Sequence, residues 1–303
     1  GSEGGYGEDD GRERSVWQER HDEKKRTRME PTLAERLQGE AVFGLNPVRE
    51  ALRTGRRQLY RMWVQEGSDA SFDSSLLTAA KNLDVAVETV SKHDLNMLTG
   101  SPPRPHNGVV IDASPLEPVA FDSLPPWDTR GAPPLWLALD EVVDPQNLGA
   151  IIRSAHFLGV AGVVVCAKNS APLSPVVSKA SSGAMEAVTV HSVGVMHRFL
   201  ARCTEEGWDV FGAAAEDRAE DVTSLKITKP SVLVMGNEGS GLRTNVRRAC
   251  NRMVRIEGGP GMGMGGDRQD GGEGGGSVDS LNVSVATGII LHTMLTAARK
   301  PAL

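Results

Sequence analysis

The stretch SVLVMGNEGSGL, residues Ser231–Leu242, joins a strand-like run directly to a glycine loop. A nearly continuous run of branched apolar residues is typical of a parallel strand that is buried on both faces. The glycines after it let a backbone approach a ligand closely at the carboxyl end of the strand, where open α/β sheets bind ligands. The loop has neither the GxGxxG spacing of a dinucleotide site nor the Lys-Ser or Lys-Thr of a P-loop. A simple tight turn has no need of a carboxylate, so Glu238 in this loop is a candidate functional residue.

Strand-like runs recur on both sides of this stretch and alternate with helical segments. Their alternation predicts an α/β domain over residues 135–303, built on a parallel sheet that helices cover on both faces. The other strands are predicted at Leu135–Leu139, Gly162–Val165, Ala187–Val190, Trp208–Phe211 and Met253–Ile256. A glycine-rich run over residues 258–277 separates the last strand from the C-terminal helix, and its composition indicates a flexible insertion.

Two further motifs belong to this domain, NLGAIIR at Asn147–Arg153 and SLNVSVA at Ser280–Ala286. Each stands at the start of a predicted helix, so Asn147 and Asn282 are open to two interpretations, as helix N-caps or as site residues. Arg153 follows Asn147 by six positions, about 240° around a helix, so it does not share a helix face with Asn147. An arginine at such a place is either an ordinary surface residue or one that reaches a site by its long side chain.

Residues 40–113 show a second set of short alternating elements and are predicted to form a small separate α/β domain. Strands are expected near Ala41–Phe43, Leu59–Val64, Val85–Val87 and Gly108–Ile111, with helices near Pro47–Arg53 and Leu76–Asn82. Four arginines cluster in the first half of this domain: Arg53, Arg56, Arg57 and Arg61. They are candidates for contacts with RNA phosphates, which attract arginine regardless of sequence, and the alternative is an exposed helix end and loop.

The segments before and between the two domains have compositions that do not predict a folded domain. Residues 1–39 mix charges densely with few apolar residues, which predicts a disordered tail. Residues 114–134 hold six prolines and show no periodicity, which predicts a linker.

Composition restricts the class of protein. The net charge of −6 excludes a global basic field, so any RNA site must be local. The three cysteines are widely spaced and odd in number, which fits neither a disulfide framework nor a metal site, and free thiols are expected. No cluster of His, Cys and carboxylates has metal-ligand spacing, and no apolar run approaches the roughly 20 residues of a membrane helix. We therefore expect neither a metal nor a membrane partner.

Taken together and in this order, the three motifs resemble the signature motifs of the SpoU (TrmH) family of RNA ribose 2′-O-methyltransferases, within the SPOUT superfamily. The stretch Asn169–Lys179 is similar to the mitochondrial large-subunit rRNA methyltransferases of the Mrm type. Phe43–Leu52 and His106–Val110 resemble segments of the RNA-binding N-terminal domain of many SpoU proteins, which is similar to a ribosomal protein fold.

The resemblance implies a C-terminal SPOUT domain with a deep trefoil knot, S-adenosylmethionine as the cofactor, and a homodimer whose active site uses residues of both subunits. It implies cofactor contacts at Gly236, Ile256 and Leu281, and catalytic roles for Asn147, Arg153, Glu238, Ser280 and Asn282. A guanidinium has a pKa above about 12 and resists losing its proton. We therefore expect Arg153 to stabilise phosphate and alkoxide, while Glu238 or the cofactor's own carboxylate handles the proton.

Three functions remain open at this point. The first is methylation of an organellar rRNA, at a guanosine of the mitochondrial large subunit, with a plastid or cytoplasmic location as the alternatives. The second is methylation of a tRNA ribose, and the third is a ribosome-assembly factor that binds RNA without turnover. The separate N-terminal domain and the Mrm-like stretch favour rRNA, and the presence of all three motifs argues against loss of catalysis.

Overall fold

The computed structural model describes residues 31–67, 74–216, 218–258 and 280–299. Two sheets organise the chain, one of four strands and one of eight. The predicted insertion, apart from Gly258, and the first 30 residues lie outside the described ranges. The three cysteines are free, as expected, and no helix within the described ranges has the length and apolarity that crossing a membrane requires.

The N-terminal sheet has the order β1-β4-β2-β3, in which β4 is antiparallel to β1 and β2 and β3 is parallel to β2. Its elements are β1 Glu40–Phe43, α1 Leu45–Thr54, β2 Leu59–Gln65, α2 Ser74–Asn82, β3 Ala86–Val90, α3 Lys92–Leu98 and β4 Val109–Ala113. Val42, Met62 and Ile111 are fully buried under α1 and α2. The predicted strands and helices agree with these to within a few residues, and only α3 is additional.

The end of the predicted tail is ordered. Leu33 and Leu37 pack against one face of the N-terminal sheet, and the backbone N–H groups of Gln38 and Gly39 both donate to the Asp112 carboxylate at 2.9 Å. The prediction that the chain is disordered up to residue 39 was therefore wrong for residues 33–39. Both leucines are partly buried, so this segment adds apolar contacts to the sheet although its average composition is polar.

The large sheet is parallel throughout, in the order β10-β12-β9-β11-β6-β7-β8-β5. Its strands are β5 Val119–Ala120, β6 Leu135–Leu139, β7 Gly162–Cys166, β8 Val190–Val193, β9 Asp209–Ala213, β10 Glu220–Asp221, β11 Ser231–Met235 and β12 Arg252–Arg255. The helices are α4 Pro145–Leu158, α5 Pro175–Ala180, α6 Ala184–Ala187, α7 Met196–Glu205, α8 Thr244–Ala249 and α9 Val283–Arg299. Alternate residues of β6 enter two different cores, Leu137 on one face and Trp136 on the other. The expectation of a parallel sheet covered on both faces is thus confirmed, while the trefoil knot stays a prediction.

Two sequence interpretations of this domain change. The strand predicted at Ala187–Val190 was wrong in position, because the short helix α6 occupies its start and β8 begins only at Val190. The proline-rich segment is also more than a linker, since β5 pairs with β8 as an edge strand. Phe121 stacks on Trp136 with ring centroids 5.3 Å apart, which fixes this segment to the sheet.

A buried ion network joins the two domains. The Arg57 guanidinium is fully buried and donates to Glu186 from Nε at 2.6 Å and from Nη2 at 3.0 Å, to Glu40 at 2.5 Å and to the Ser114 carbonyl at 2.6 Å. Beside it, Arg56 Nη1 donates to three backbone carbonyls at 2.6 to 3.2 Å, those of Met185, Glu186 and Val188.

This placement corrects part of the predicted RNA site. Arg57 has no surface left for a phosphate, and Arg56 is committed to the carbonyls around α6, so both arginines join domains instead. Arg53 and Arg61 keep exposed side chains, paired with Glu50 and Glu88 respectively, and RNA contact stays a prediction for these two.

Candidate active site

The three sequence motifs meet at the carboxyl edge of the large sheet. The loop after β11 and the first turn of α4 lie side by side there, because β11 and β6 are neighbouring parallel strands. Asn147 Nδ2 donates to Glu238 Oε1 in a short hydrogen bond across 91 positions of sequence. Asn282 Nδ2 in turn donates to Asn147 Oδ1 at 3.1 Å. Asn147, Glu238 and Asn282 therefore form one connected cluster, named here the amide–carboxylate cluster.

Asn147 is not the N-cap of its helix. The helix α4 begins earlier than expected, at Pro145, and the Asp144 side chain caps it by accepting the Gln146 N–H at 2.9 Å. Pro145 suits the first helical position because the N–H that proline lacks would have no partner there. Asn147 consequently lies in the first turn, 93% buried, and its Nδ2 donates to Asp144 Oδ2 at 3.2 Å as well as to Glu238.

Asn282 is both the N-cap of its helix and a member of the amide–carboxylate cluster. Its Oδ1 accepts from Ser284 N at 2.9 Å and from Ser284 Oγ at 2.6 Å, which satisfies the start of α9. Its Nδ2 is directed the other way, to Asn147. Ser280 and Leu281, which precede it, are exposed, Leu281 by 49%.

The glycine loop closes on itself. Asn237 and Gly241 exchange both backbone hydrogen bonds at 3.0 and 2.9 Å, and Asn237 Oδ1 accepts the N–H groups of Gly239 and Ser240. A Cβ on Gly236 would lie 2.4 Å from the backbone of Gly241, which no real side chain tolerates. The loop thus needs glycine at its base, and it presents the Glu238 side chain outward from a fixed frame.

An ion pair that the sequence reasoning missed anchors this loop. The buried Asp140 carboxylate at the end of β6 accepts from Arg243 Nη2 at 2.5 Å and from Arg243 Nε at 3.1 Å. Hydrogen bonding to Asp140 raises the pKa of Arg243 above its ordinary value. The position of Asp140 directly after a buried strand could have marked it as a candidate site residue. Its partner Arg243 lies 103 positions away, so no local pattern could have identified the pair.

Arg153 lies elsewhere. Its side chain is exposed in a groove between α4 and α1, together with Arg49, Arg53 and Phe157, and no member of the amide–carboxylate cluster lines that groove. Arg153 and Asn147 therefore lie on different faces of α4, as their spacing of six positions predicts. Within one chain, Arg153 does not meet the other motif residues.

The predicted cofactor residues lie at the same edge as the cluster. Gly236 is buried, Ile256 is half-buried just beyond β12, and Leu281 offers an apolar surface beside Asn282. The set combines apolar surface, closely approachable backbone and one carboxylate, which fits a ligand that has both a flat ring and a cationic centre. Among the described residues there is no group of three His, Cys, Asp or Glu side chains placed to hold a metal ion.

Comparison with known proteins bears on both domains. The profile of the SpoU rRNA Methylase family matches residues 134–262, and a profile described as RNA 2′-O ribose methyltransferase substrate binding matches residues 41–119. The chain is 36% identical to rRNA methyltransferase 1, mitochondrial, of Homo sapiens, in a match that covers 84% of this chain and 72% of the relative. It is 35% identical to the protein of the same name from Dictyostelium discoideum, covering 72% of this chain and 44% of that relative.

A bacterial relative and a solved structure extend the comparison. The 23S rRNA (guanosine-2′-O-)-methyltransferase RlmB of Pseudomonas syringae is 33% identical, with 86% of this chain and 98% of the relative covered. The crystal structure of the SpoU methyltransferase AviRb from Streptomyces viridochromogenes, in complex with AdoMet, superposes with a TM-score of 0.62 over 84% of this chain and 89% of that one. At 22% identity this likeness shows the common fold.

Proposed function

The chain belongs to the SpoU rRNA methylase family, and from that membership we propose that it methylates a guanosine ribose of mitochondrial large-subunit rRNA at O2′. It is an RNA 2′-O-methyltransferase that uses S-adenosylmethionine. The observation that carries the proposal is the amide–carboxylate cluster, which brings together one residue from each of the three motifs. Mitochondrial location and the guanosine target rest on the names of the relatives.

The cofactor, when bound, supplies a methyl group that is activated on a sulfonium. We assign its adenosyl part to Gly236, Ile256 and Leu281, where apolar surface and close backbone approach coincide. The Glu238 carboxylate stands beside them and suits a cationic centre.

The ribose hydroxyl is a weak nucleophile, so the site must orient it and take its proton. The bound cofactor would supply the methyl group for O2′, and the Glu238 carboxylate would accept the proton that O2′ gives up. Asn147 fixes the Glu238 carboxylate through its Nδ2 donor, and Asn282 fixes Asn147. Ser280 and Asn282 orient the ribose, and Arg153 stabilises the developing alkoxide and the neighbouring phosphate.

We further propose a homodimer in which Arg153 serves the cofactor site of the partner subunit. Arg153 lies in a groove that no member of the amide–carboxylate cluster of its own chain lines, which supports this arrangement. Apolar side chains are exposed on α4 and on α9, two helices that pack against each other. Phe157 on α4 is 86% exposed, and Val285 and Ile289 on α9 are 50% and 39% exposed. Large apolar side chains exposed on neighbouring helices favour an interface there.

The test compares 2′-O-methyl marks on mitochondrial rRNA, cytosolic rRNA and tRNA from cells with and without the gene. Loss of one guanosine mark from the mitochondrial large-subunit rRNA is the expected result. Loss of a tRNA mark alone would show that the substrate is tRNA and not rRNA. Unchanged marks in all three RNAs would favour a protein that binds RNA without methylating it. Calorimetry should find S-adenosylmethionine binding in the presence of a chelator, whereas strict dependence on a divalent ion would contradict the proposed site.

A further inference from the structure

The Asp144 carboxylate does more than cap the helix that follows it. Its Oδ1 accepts the Gln146 N–H at 2.9 Å, and its Oδ2 accepts from Asn147 Nδ2 at 3.2 Å. Asn147 Nδ2 also donates to Glu238 Oε1. The two hydrogens of one amide nitrogen are therefore shared between two carboxylates, one at the start of α4 and the other in the loop after β11.

The orientation of the Asn147 amide is fixed by its neighbours. Its Oδ1 accepts from Asn282 Nδ2 at 3.1 Å. The Asn282 amide cannot turn round, because its own Oδ1 accepts the backbone N–H of Ser284. A reversed Asn147 amide would bring its oxygen against two carboxylates and its nitrogen against the nitrogen of Asn282. All of these groups would then lose their partners, so one orientation is strongly preferred.

The two carboxylates differ in the oxygens that they have left for a substrate. Both oxygens of Asp144 accept a hydrogen bond, one from the backbone and one from Asn147. Glu238 accepts through Oε1, and within the described part of the chain no group donates to its Oε2. Glu238 is also exposed, whereas Asp144 is half-buried. Because a general base must reach the proton that it takes, this geometry suits Glu238 for proton transfer and Asp144 for holding the amide.

From this arrangement we infer that Asp144 is a positioning residue of the methyl-transfer site and that it acts through Asn147. Asp144 keeps the Asn147 nitrogen directed at Glu238 Oε1, and Glu238 Oε2 thereby stays available to the ribose hydroxyl. The inference rests on the proposed function and deepens it, since capping of α4 accounts for only one of the two Asp144 oxygens.

Two substitutions of Asp144 separate positioning from capping. Asp, Asn and Ser are comparable N-caps, so Asp144→Asn and Asp144→Ser should both keep the midpoint of thermal unfolding. Asp144→Asn uses its oxygen for the Gln146 N–H and turns its amide nitrogen toward Asn147 Nδ2, donor against donor. We expect its methyl transfer to be slower by about tenfold or more. Asp144→Ser removes the acceptor without adding an opposing donor, so its loss should be smaller.

Asp128→Asn is the matched control for the change of charge. Asp128 Oδ1 accepts the N–H of Arg130, two positions on, at 3.1 Å, just as Asp144 Oδ1 accepts the N–H of Gln146. Asp128 lies in the segment between the domains and has no contact with the amide–carboxylate cluster. Asp128→Asn should therefore transfer methyl groups at the wild-type rate.

A double-mutant cycle supplies the measurement that a merely structural role would not satisfy. Single-turnover rates are measured at saturating cofactor and saturating rRNA from cells that lack the gene, for Asp144→Asn, Asn147→Ala and the double variant. If Asp144 acts through Asn147, the double variant is as slow as Asn147→Ala, within about twofold. If the two residues act independently, the two losses multiply.

The outcomes distinguish this inference from the proposed function. A wild-type rate for Asp144→Asn overturns the inference, and so do losses that multiply in the cycle. Equal losses of rate for Asp144→Asn and Asp144→Ser, accompanied by lower unfolding midpoints, overturn it as well, because capping then explains them. In each of these cases the wild-type protein is active and the proposed function stands. A wild-type protein that transfers no methyl group to this rRNA overturns both.

Discussion

At the scale of single residues, the two motif asparagines divide capping and site contacts between them. An amide has an acceptor and a donor, and Asn282 uses Oδ1 to cap α9 while Nδ2 reaches Asn147. Asn147 leaves the capping of α4 to Asp144 and directs its own Nδ2 to Glu238. The division makes the two roles of Asn282 separable by substitution.

Asn282→Asp should keep the stability of the protein and lose activity. A carboxylate caps a helix as well as an amide does, but it cannot donate to Asn147 and it adds negative charge beside Glu238. We expect an unchanged midpoint of thermal unfolding and at least tenfold slower methyl transfer. Asn282→Ala is the control and should cost about 1 kcal/mol of unfolding free energy through the lost cap. Full activity of Asn282→Asp would contradict a site role.

Arg153→Ala should abolish methyl transfer and leave cofactor affinity nearly unchanged. The charge serves the RNA acceptor and not the adenosyl group, and no residue assigned to the adenosyl group lines the groove that holds Arg153 in its own chain. Arg153→Lys should restore little, since a point charge does not reproduce a planar fork. Calorimetry and rate measurements on the same variants check this. Loss of cofactor binding as severe as the loss of activity would place Arg153 in the cofactor pocket instead.

At the scale of elements, the loop after β11 is shaped by a steric restriction at one end and an ion pair at the other. Gly236 admits no side chain, and Arg243 ties the loop end to Asp140, which directly follows the neighbouring strand β6. The loop therefore holds Glu238 and the approachable backbone in one arrangement before any ligand binds, which lowers the cost of binding.

Gly236→Ala should strongly weaken S-adenosylmethionine binding, because a Cβ 2.4 Å from Gly241 forces the loop open. Gly239→Ala is the matched control in the same loop. The nearest atom to its Cβ would be Asn237 Oδ1 at 3.6 Å, an ordinary contact. Calorimetry should show a much larger loss of affinity for Gly236→Ala than for Gly239→Ala. Equal affinities would mean that this loop does not touch the cofactor.

At the scale of the whole molecule, buried charge fixes one domain against the other. Arg57 and Glu186 come from different domains and are both fully buried. Gly183 has φ of 87°, and a Cβ there would lie 2.8 Å from the Asn46 carbonyl oxygen, so the backbones of α1 and the start of α6 also touch closely. The two domains are thus joined at this junction by a buried ion pair and a close backbone contact.

Arg57→Met should destabilise the protein by about 3 to 5 kcal/mol, because it leaves Glu186 buried without its charge partner. Arg57→Met combined with Glu186→Leu should recover much of that loss, since no unpaired charge then remains at Glu186. Arg130→Met removes an exposed ion pair and should leave stability unchanged. Urea unfolding followed by circular dichroism measures all three. An Arg57→Met protein as stable as the wild type would show that the network is dispensable.

Deletion of residues 258–277 should leave the homodimer intact. The proposed interface uses α4 and α9, which carry the exposed Phe157, Val285 and Ile289. Light scattering at micromolar concentration should give the mass of a dimer for both the full chain and the deletion variant. A fully active monomer would show that each chain holds a complete site.

The sequence by itself determined most of the long strands of the large domain and the identity of the three motifs. Runs such as Leu135–Leu139 are buried on both faces in any parallel sheet, so local composition suffices to place them. Only the tertiary structure decided which side chains meet. Arg57 looked like a surface arginine until the fold placed Glu186, 129 positions away, against it. The cluster of Asn147, Glu238 and Asn282 arises likewise from separations of 91 and 135 positions, because contacts at such distances depend on how the strands are ordered in the sheet.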